Sequence, residues 1–162
     1  MNVLLPFHQK LNRLIKLAWP EVQNPVFRLT QIQRINWVND VKAGKLKPPY
    51  IVVDIPALAI ETAWSASAVN YKVSPTIYYI ASIKEGGGDI GDYIEDRLQL
   101  LTDALLFPDS SAAFPFTILD APAIDTSASQ AVNDSMLAAE MPYLSGALTF
   151  GALIGYVRVY TG

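Results

Sequence analysis

Two segments of the chain carry the clearest pattern of apolar and polar positions, Ser74–Lys84 and Ile90–Phe107. In the first, both alternating sets of side chains are largely apolar, which predicts an inner strand covered on both faces. In the second, apolar residues recur at steps of four, four, three and four, the helical period. These residues are Ile90, Ile94, Leu98, Leu101 and Leu105. We therefore predict a buried strand followed by a long amphipathic helix.

The turn between these two segments is rich in glycine and acidic residues. Asp89 and Asp92 are predicted to cap the first turn of the helix, and Glu95 and Asp96 place negative charge where the helix dipole favours it. Pro108 marks the end of the helix, since proline cannot continue it.

Other segments predict a helix at the start of the chain and several further strands. The first helix has a stripe of apolar residues and ends at Trp19-Pro20: Leu4, Phe7, Leu11, Leu14, Ile15 and Ala18. A short strand is expected near Val26, and a second, shorter helix over Ile32–Val41, which ends near Gly44. Further strands are predicted in the segments Tyr50–Ile55, Ala57–Trp64 (an edge strand), Phe116–Asp120 and Leu148–Tyr160.

This order predicts one α+β domain over residues 1–162, with a mainly antiparallel or mixed sheet of about four to six strands and two or three helices packed on one side. Long loops are expected around residues 108–115 and 121–135, because both stretches are rich in small polar residues and proline. A chain of 162 residues can bury a sizeable core as a single domain.

Composition narrows the possible functions. The chain is 51% apolar and 17% charged, which favours a packed domain with some surface covered by another subunit. Its net charge of −3, with scattered Lys and Arg, argues against nucleic-acid binding through the phosphates. No cysteine is present, so disulfides and thiol chemistry are excluded. The longest apolar run, Tyr143–Val157, is shorter than the roughly 20 residues needed to span a bilayer.

One motif invites a cofactor hypothesis. Gly86, Gly88 and Gly91 satisfy G-x-G-x-x-G between a strand and a helix, and Asp120 ends the next strand, as the ribose-binding acid of a dinucleotide fold would. The acidic residues around the helix start would repel a phosphate. Asp120 also lies further along the chain than the roughly 20-residue spacing of the dinucleotide-binding motif. A flexible turn before a capped helix is therefore the preferred interpretation, and no cofactor is predicted.

The sequence offers few residues for catalysis or metal binding. His8, the single histidine, lies beside Phe7 and Leu11 on the first helix, a setting typical of a structural histidine. The carboxylates of the acidic turn lack the alternating spacing of a calcium loop. We predict no catalytic residue and no metal site, and thus no enzyme.

The order and character of the elements are similar to those of the tail terminator, or tail completion, proteins of long-tailed bacteriophages. The segments that carry this resemblance are the leading helix, PPYIVVDIP, TIYYIASIKEGGGDIGDYIEDRLQLLTDAL and SGALTFGALIGYVRV. The resemblance implies a small α+β subunit located in the tail or neck of the virion, and in the host cytoplasm during assembly. The resemblance also implies that copies of this subunit form a ring, usually a hexamer, on the last ring of the tail tube, where the ring ends tube growth and docks to the head connector.

On this interpretation, the partners are further copies of the chain, the tail tube protein and the head connector or neck proteins, with DNA only passing through the channel and no membrane. Loop residues become candidate contacts between subunits or rings: Gly87, Asp89, Asp92, Asp109, Ser110, Asp125, Ser129, Asn133 and Asp134. A head-tail adaptor, or another tail structural protein, is the nearest alternative. A nucleotide-binding enzyme that uses the GGGDIG loop is the alternative from a different class.

Overall fold

A computed structural model of the chain describes residues 4–22, 26–28, 43–44, 48–55, 59–65, 68–84, 89–106, 117–138 and 140–157. The predicted helix over Ile32–Val41 and the predicted loop at 108–115 lie outside these residues. The described elements are, in chain order, α1 (Leu4–Ala18), β1 (Val26–Arg28), β2 (Tyr50–Asp54), β3 (Ala59–Ser65), β4 (Ala68–Val73), β5 (Thr76–Ser82), α2 (Ile90–Leu106), β6 (Thr117–Ile124), α3 (Thr126–Ala138) and β7 (Tyr143–Val157).

The described strand segments form a single mixed sheet in the order β1-β2-β5-β7-β4-β3, with β6 paired to β7 as well. β4 and β5 pair with β7 in one unbroken register across Ser74-Pro75, because Val73 lies opposite Ala152 and Thr76 lies opposite Thr149. On the side away from β7, β2 pairs with β5 and β3 pairs with β4. In the part of the chain described, the sheet is thus five strands wide, and only the β1–β2 pair is parallel.

The α+β class and the main elements predicted from the sequence are confirmed. β5 lies between β2 and β7, as expected for an inner strand. The predicted helix stripes are the buried ones: Phe7, Leu11, Leu14 and Ile15 in α1, and Ile94, Leu98, Leu101 and Leu105 in α2.

The two faces of the sheet are covered by different helices. Ile51 and Val53 of β2 lie in the large core formed with α1 and α2. The alternating residues of the same strand, Tyr50 and Val52, lie in a second cluster with Met136 of α3. Because successive residues of a strand point to opposite faces, α3 lies across the sheet from α1 and α2.

This arrangement corrects two expectations. The predicted loop at 121–135 is wrong, since residues up to Ile124 extend β6 and α3 begins at Thr126. Two helices share one face as expected, but α3 covers the opposite face. The loop was predicted because the small polar residues of α3 are typical of loops. Ala128, Val132 and Met136 nevertheless recur at helical spacing on the side toward the sheet.

Both ends of α3 are fixed by hydrogen bonds that the loop prediction did not include. Asp125 Oδ1 accepts a hydrogen bond from Ala128 N at 2.9 Å, the geometry of an N-cap residue. At the other end, Glu140 adopts a left-handed backbone with φ of 56°. Glu140 N donates to Leu137 O and Met141 N donates to Met136 O, each at 3.0 Å, which forms a Schellman motif.

Candidate functional site

The start of α2 is the described part of the glycine-rich motif, and its amide groups are already occupied. Asp89 Oδ1 accepts hydrogen bonds from Gly91 N at 2.8 Å and Asp92 N at 3.4 Å, so Asp89 is the N-cap residue. These amides are the donors that a bound phosphate would need. Gly86 and Gly88 of the motif lie outside the described residues, as do three candidate contacts, Gly87, Asp109 and Ser110.

Asp120 is not placed to serve this helix end. Its carboxylate lies 3.0 Å from Lys72 Nζ of β4. The Asp120 side chain reaches Lys72 by passing over Gly151 of β7. A Cβ atom added to Gly151 would overlap the Asp120 carboxylate. Phe150 and Ala152, on either side of Gly151, belong to the core under α1 and α2, so Asp120 and Lys72 lie on the opposite face.

The strand order also differs from that of a dinucleotide fold. The segment β5-α2-β6 joins two strands that are each antiparallel to β7, which lies between them. In the dinucleotide-binding unit, the glycine-rich turn and the ribose-binding acid come from neighbouring parallel strands. The described geometry therefore does not bring Gly91 and Asp120 together as a cofactor site.

The acidic residues at the start of α2 are exposed to solvent rather than gathered into a site. Among the described residues, no group of three or more histidine or carboxylate side chains is placed to hold a metal ion. Asp89 acts as a cap, and Asp92, Glu95 and Asp96 line the outer side of the helix, where negative charge near the N-terminus is favourable.

Three candidate contact residues of the predicted loop, Asp125, Ser129 and Asn133, have structural roles inside the subunit. Asp125 caps α3 through its carboxylate, and its backbone N donates to Ala147 O of β7 at 2.9 Å. The backbone O of Ser129 accepts a hydrogen bond from Ser145 Oγ at 3.4 Å. Asp134 lies on the outer side of the helix, where its carboxylate accepts a hydrogen bond from Gln130 Nε2 at 2.8 Å.

The side-chain amide of Asn133 makes the hydrogen bonds to β7 that a neighbouring strand would otherwise make. Its Oδ1 accepts hydrogen bonds from Ser145 N and Ser145 Oγ, both at 2.8 Å, and its Nδ2 donates to Ser145 O at 3.3 Å. One side-chain amide thus satisfies both backbone groups of Ser145, as a neighbouring strand would. The pairing between β6 and β7 stops at Leu148, which leaves the preceding residues of β7 without a strand on that side. α3 covers this part of β7 at Ser145.

A cluster of aromatic and ionic side chains joins α1, β5 and α2, and the sequence analysis did not identify it. Trp19 Nε1 donates to Arg97 O at 2.6 Å, and the Trp19 ring lies 5.0 Å from the ring of Tyr79. Tyr79 Oη donates to Glu21 Oε1 at 3.1 Å. Arg97 Nη1 forms an ion pair with the same Glu21 oxygen at 3.3 Å. The Arg97 guanidinium lies over the ring of Tyr93, with Cζ 5.0 Å from the ring centroid. No local sequence pattern predicts a cluster whose members are so far apart in the chain.

The electrostatics of this cluster follow from its partial burial. Burial, the Tyr93 hydroxyl and the Glu21 carboxylate raise the pKa of Tyr79 well above its ordinary value, so the phenol stays protonated and donates. Burial opposes the charge of Arg97, but Glu21 and the two tyrosines together hold the pKa of Arg97 above its ordinary value. The cluster fixes the end of α1 to α2, which is a structural role.

His8, the single candidate for acid-base chemistry, lies on α1 near the ring of Phe7. Burial lowers the pKa of His8 below its ordinary value, which favours the neutral imidazole. A half-buried histidine beside the buried Phe7 fits the structural interpretation made from the sequence.

Comparison of the chain with known protein families and with curated proteins gave no match. Within the residues that the structure describes, none of the helices combines the length and the apolar character needed to cross a membrane.

Proposed function

We propose that this chain is a structural subunit of a bacteriophage tail, the tail terminator. Copies of the chain form a ring at the head-proximal end of the tail tube, where the ring ends tube growth and offers a docking face to the head connector. This role requires surfaces that contact other subunits and requires no catalytic residue.

The order of the elements is the observation that carries the proposal. α1 precedes a strand that follows Pro48-Pro49, β5 leads through the acidic turn into α2, and the chain returns through the long strand β7. These are the segments on which the resemblance to tail terminators depends, and they belong to one sheet with its helices packed against it. A small α+β subunit is what the resemblance implies.

The surface of the subunit gives further support. Large apolar side chains remain exposed on both helix layers, with Leu17 of α1 70% exposed and Leu137 of α3 76% exposed. In a ring, each subunit contacts its two neighbours through two different surfaces, so apolar groups are needed on more than one side. Exposed leucines on different helices meet that need.

Electron microscopy of the purified chain tests this proposal. Closed rings with a central channel support it. Addition of purified tail tubes then separates the terminator from the adaptor alternative. Rings bound at one tube end that stop further growth support the terminator, whereas binding to the head connector alone supports the adaptor. A nucleotide-dependent activity without any ring would favour the enzyme instead, although the Asp89 cap already occupies the amides of α2.

A further inference from the structure

The outward charges of α1 and α2 divide by sign between the two helices. The outer side of α1 carries only basic charges, and we call these residues the basic ridge: Lys10, Arg13 and Lys16. The outer side of α2 carries aspartates in one stripe opposite its buried residues, and we call these the acidic ridge: Asp92, Asp96 and Asp103. Both helices cover the same face of the sheet, so each subunit presents two ridges of opposite charge.

Among the described residues, no member of either ridge forms an ion pair, although Asp103 accepts a hydrogen bond from Gln99 Nε2 of its own helix at 2.9 Å. Two ion pairs occur between described residues, Lys72 with Asp120 and Arg97 with Glu21, and neither involves a member of either ridge. Arg97, the one basic residue of α2, points toward Glu21 at the end of α1 and away from the acidic ridge. The acidic ridge therefore has no counter-charge from its own helix.

Beside each ridge lies an exposed leucine at helical spacing from one of its charges. Leu17 follows Arg13 by four residues and is 70% exposed, and Leu100 follows Asp96 by four residues and is 40% exposed. Residues four apart on a helix are neighbours on its surface. An apolar group flanked by charges is the pattern of an interface with an apolar centre and a charged rim.

We propose that the basic ridge on α1 of one copy packs against the acidic ridge on α2 of another copy, with Leu17 and Leu100 at the centre of the contact. The complementary charges set which helices meet, and the leucines supply the apolar contact. A nucleic acid fits this surface poorly, because the acidic ridge next to α1 would repel its phosphates. This inference rests on the proposed ring and names the surface through which its subunits join.

Charge reversal tests the contact. One variant reverses the basic ridge (K10E, R13E and K16E), and another reverses the acidic ridge (D92K, D96K and D103K). A sixfold variant combines both and keeps the wild-type net charge of −3, since each reversal on α1 lowers the charge by two and each on α2 raises it by two. Single reversals at exposed sites outside both ridges and outside the candidate contacts, Lys84→Glu and Glu140→Lys, are the matched controls. Circular dichroism confirms that each variant is folded.

Sedimentation velocity at low and high salt measures the association of each variant. Either triple reversal is expected to weaken association about a hundredfold, because about three attractive pairs become repulsive. The two reversed chains mixed in equal amounts are expected to associate as the wild type does, since every contact then joins unlike ridges. The sixfold variant is expected to associate as well, and the single controls to behave as the wild type. High salt weakens the wild-type contact through screening.

The outcomes separate this contact from the ring itself. A wild-type ring whose size is unchanged by either triple reversal overturns the contact and leaves the ring proposal standing. A wild-type two-fold dimer that both reversals dissociate supports the contact and overturns the ring. Failure of the mixed reversed chains to associate, or a wild-type chain that stays monomeric at high concentration and low salt, overturns the contact.

Discussion

The face of the sheet under α1 and α2 is covered by a large apolar core, whereas the face under α3 has a smaller apolar cluster and several side-chain hydrogen bonds. α2 buries four aliphatic side chains, and Gly146 of β7 lets the helix approach closely. α3 fully buries only Met136 and is fixed by Asp125, Asn133 and its Schellman motif. The comparison indicates that most of the stability comes from the larger apolar core of the first face, while the second combines a small apolar cluster with polar contacts.

Removal of a buried side chain under α2 should have the largest effect. Leu98 is 1% exposed at the centre of the main core, so Leu98→Ala is expected to lower the free energy of unfolding by about 3 to 4 kcal/mol. Urea denaturation measures this change. Leu106→Ala, which shortens a 43% exposed side chain of the same helix, is the control, with an expected change within about 0.5 kcal/mol. Similar losses of unfolding free energy in both variants would contradict the burial of the helix face that carries Leu98.

The close approach of α2 to β7 gives the next largest effect. A Cβ at Gly146 would lie 2.9 Å from Leu98 Cδ1 and would also overlap a methyl group of Ile94. Gly146→Ala is therefore expected to cost about 1 to 3 kcal/mol in thermal or urea unfolding.

A double-mutant cycle with Ile94→Ala checks this cause. Because removal of the obstructing methyl group makes room for the new Cβ, the double variant should lose less than the sum of the two single losses. Simple additivity would mean that the overlap is not what destabilises Gly146→Ala.

On the other face, the amide of Asn133 should matter more than any other polar side chain of α3. Asn133→Ala leaves the backbone groups of the buried Ser145 without their partner, at an expected cost of about 1 to 3 kcal/mol. Hydrogen exchange of the Ser145 amide should become faster. The control is Gln130→Ala, which removes an exposed amide from the same helix and should change stability by less than about 0.5 kcal/mol. An unchanged exchange rate at Ser145 would refute the strand-like role of Asn133.

A smaller effect, of opposite sign, is expected where α3 ends. Glu140 has a left-handed φ of 56° that glycine adopts without steric cost, so Glu140→Gly should stabilise the protein by about 1 kcal/mol. Thermal unfolding measures the gain. Ala138→Gly within the last turn of α3 is the control and should be neutral or destabilising. A loss of stability in Glu140→Gly would contradict the Schellman geometry.

The smallest effect concerns pH. Burial lowers the pKa of His8 in the folded protein below the ordinary value of 6.5, so the unfolded chain binds a proton more readily. The contribution of His8 to stability is therefore present above pH 6.5 and is lost as the pH falls through its lowered folded pKa. Urea unfolding at a series of pH values should show this decrease, and His8→Gln should remove it. The same pH dependence in both proteins would assign it to other groups.

The same contrast between the faces explains what the sequence predicts well. α1, α2 and β5 carry many large apolar residues at regular spacing, and the structure buries the residues that this spacing selects. The sequence of α3 is dominated by residues such as Ser129 and Asn133, whose side chains compete for backbone hydrogen bonds and favour loops. Its helix depends on contacts with Ser145 that lie beyond local sequence patterns.

The candidate site shows the same limit. The sequence identifies Asp89 as a helix cap because the cap and its amides are adjacent in the chain. It gives no indication that Asp120 crosses Gly151 to reach Lys72, since these residues meet only when three strands pair. Likewise, the cluster of Trp19, Tyr79 and Arg97 forms between distant segments. Local chemistry was predictable, and contacts between distant elements were not.

Native mass spectrometry of the purified chain tests the central claim most directly, because one spectrum reports both the number of subunits and any retained small ligand. The proposed tail terminator predicts a closed oligomer without a ligand, with a hexamer as the expected size. A monomer that carries a nucleotide would contradict the ring and would favour the enzyme alternative.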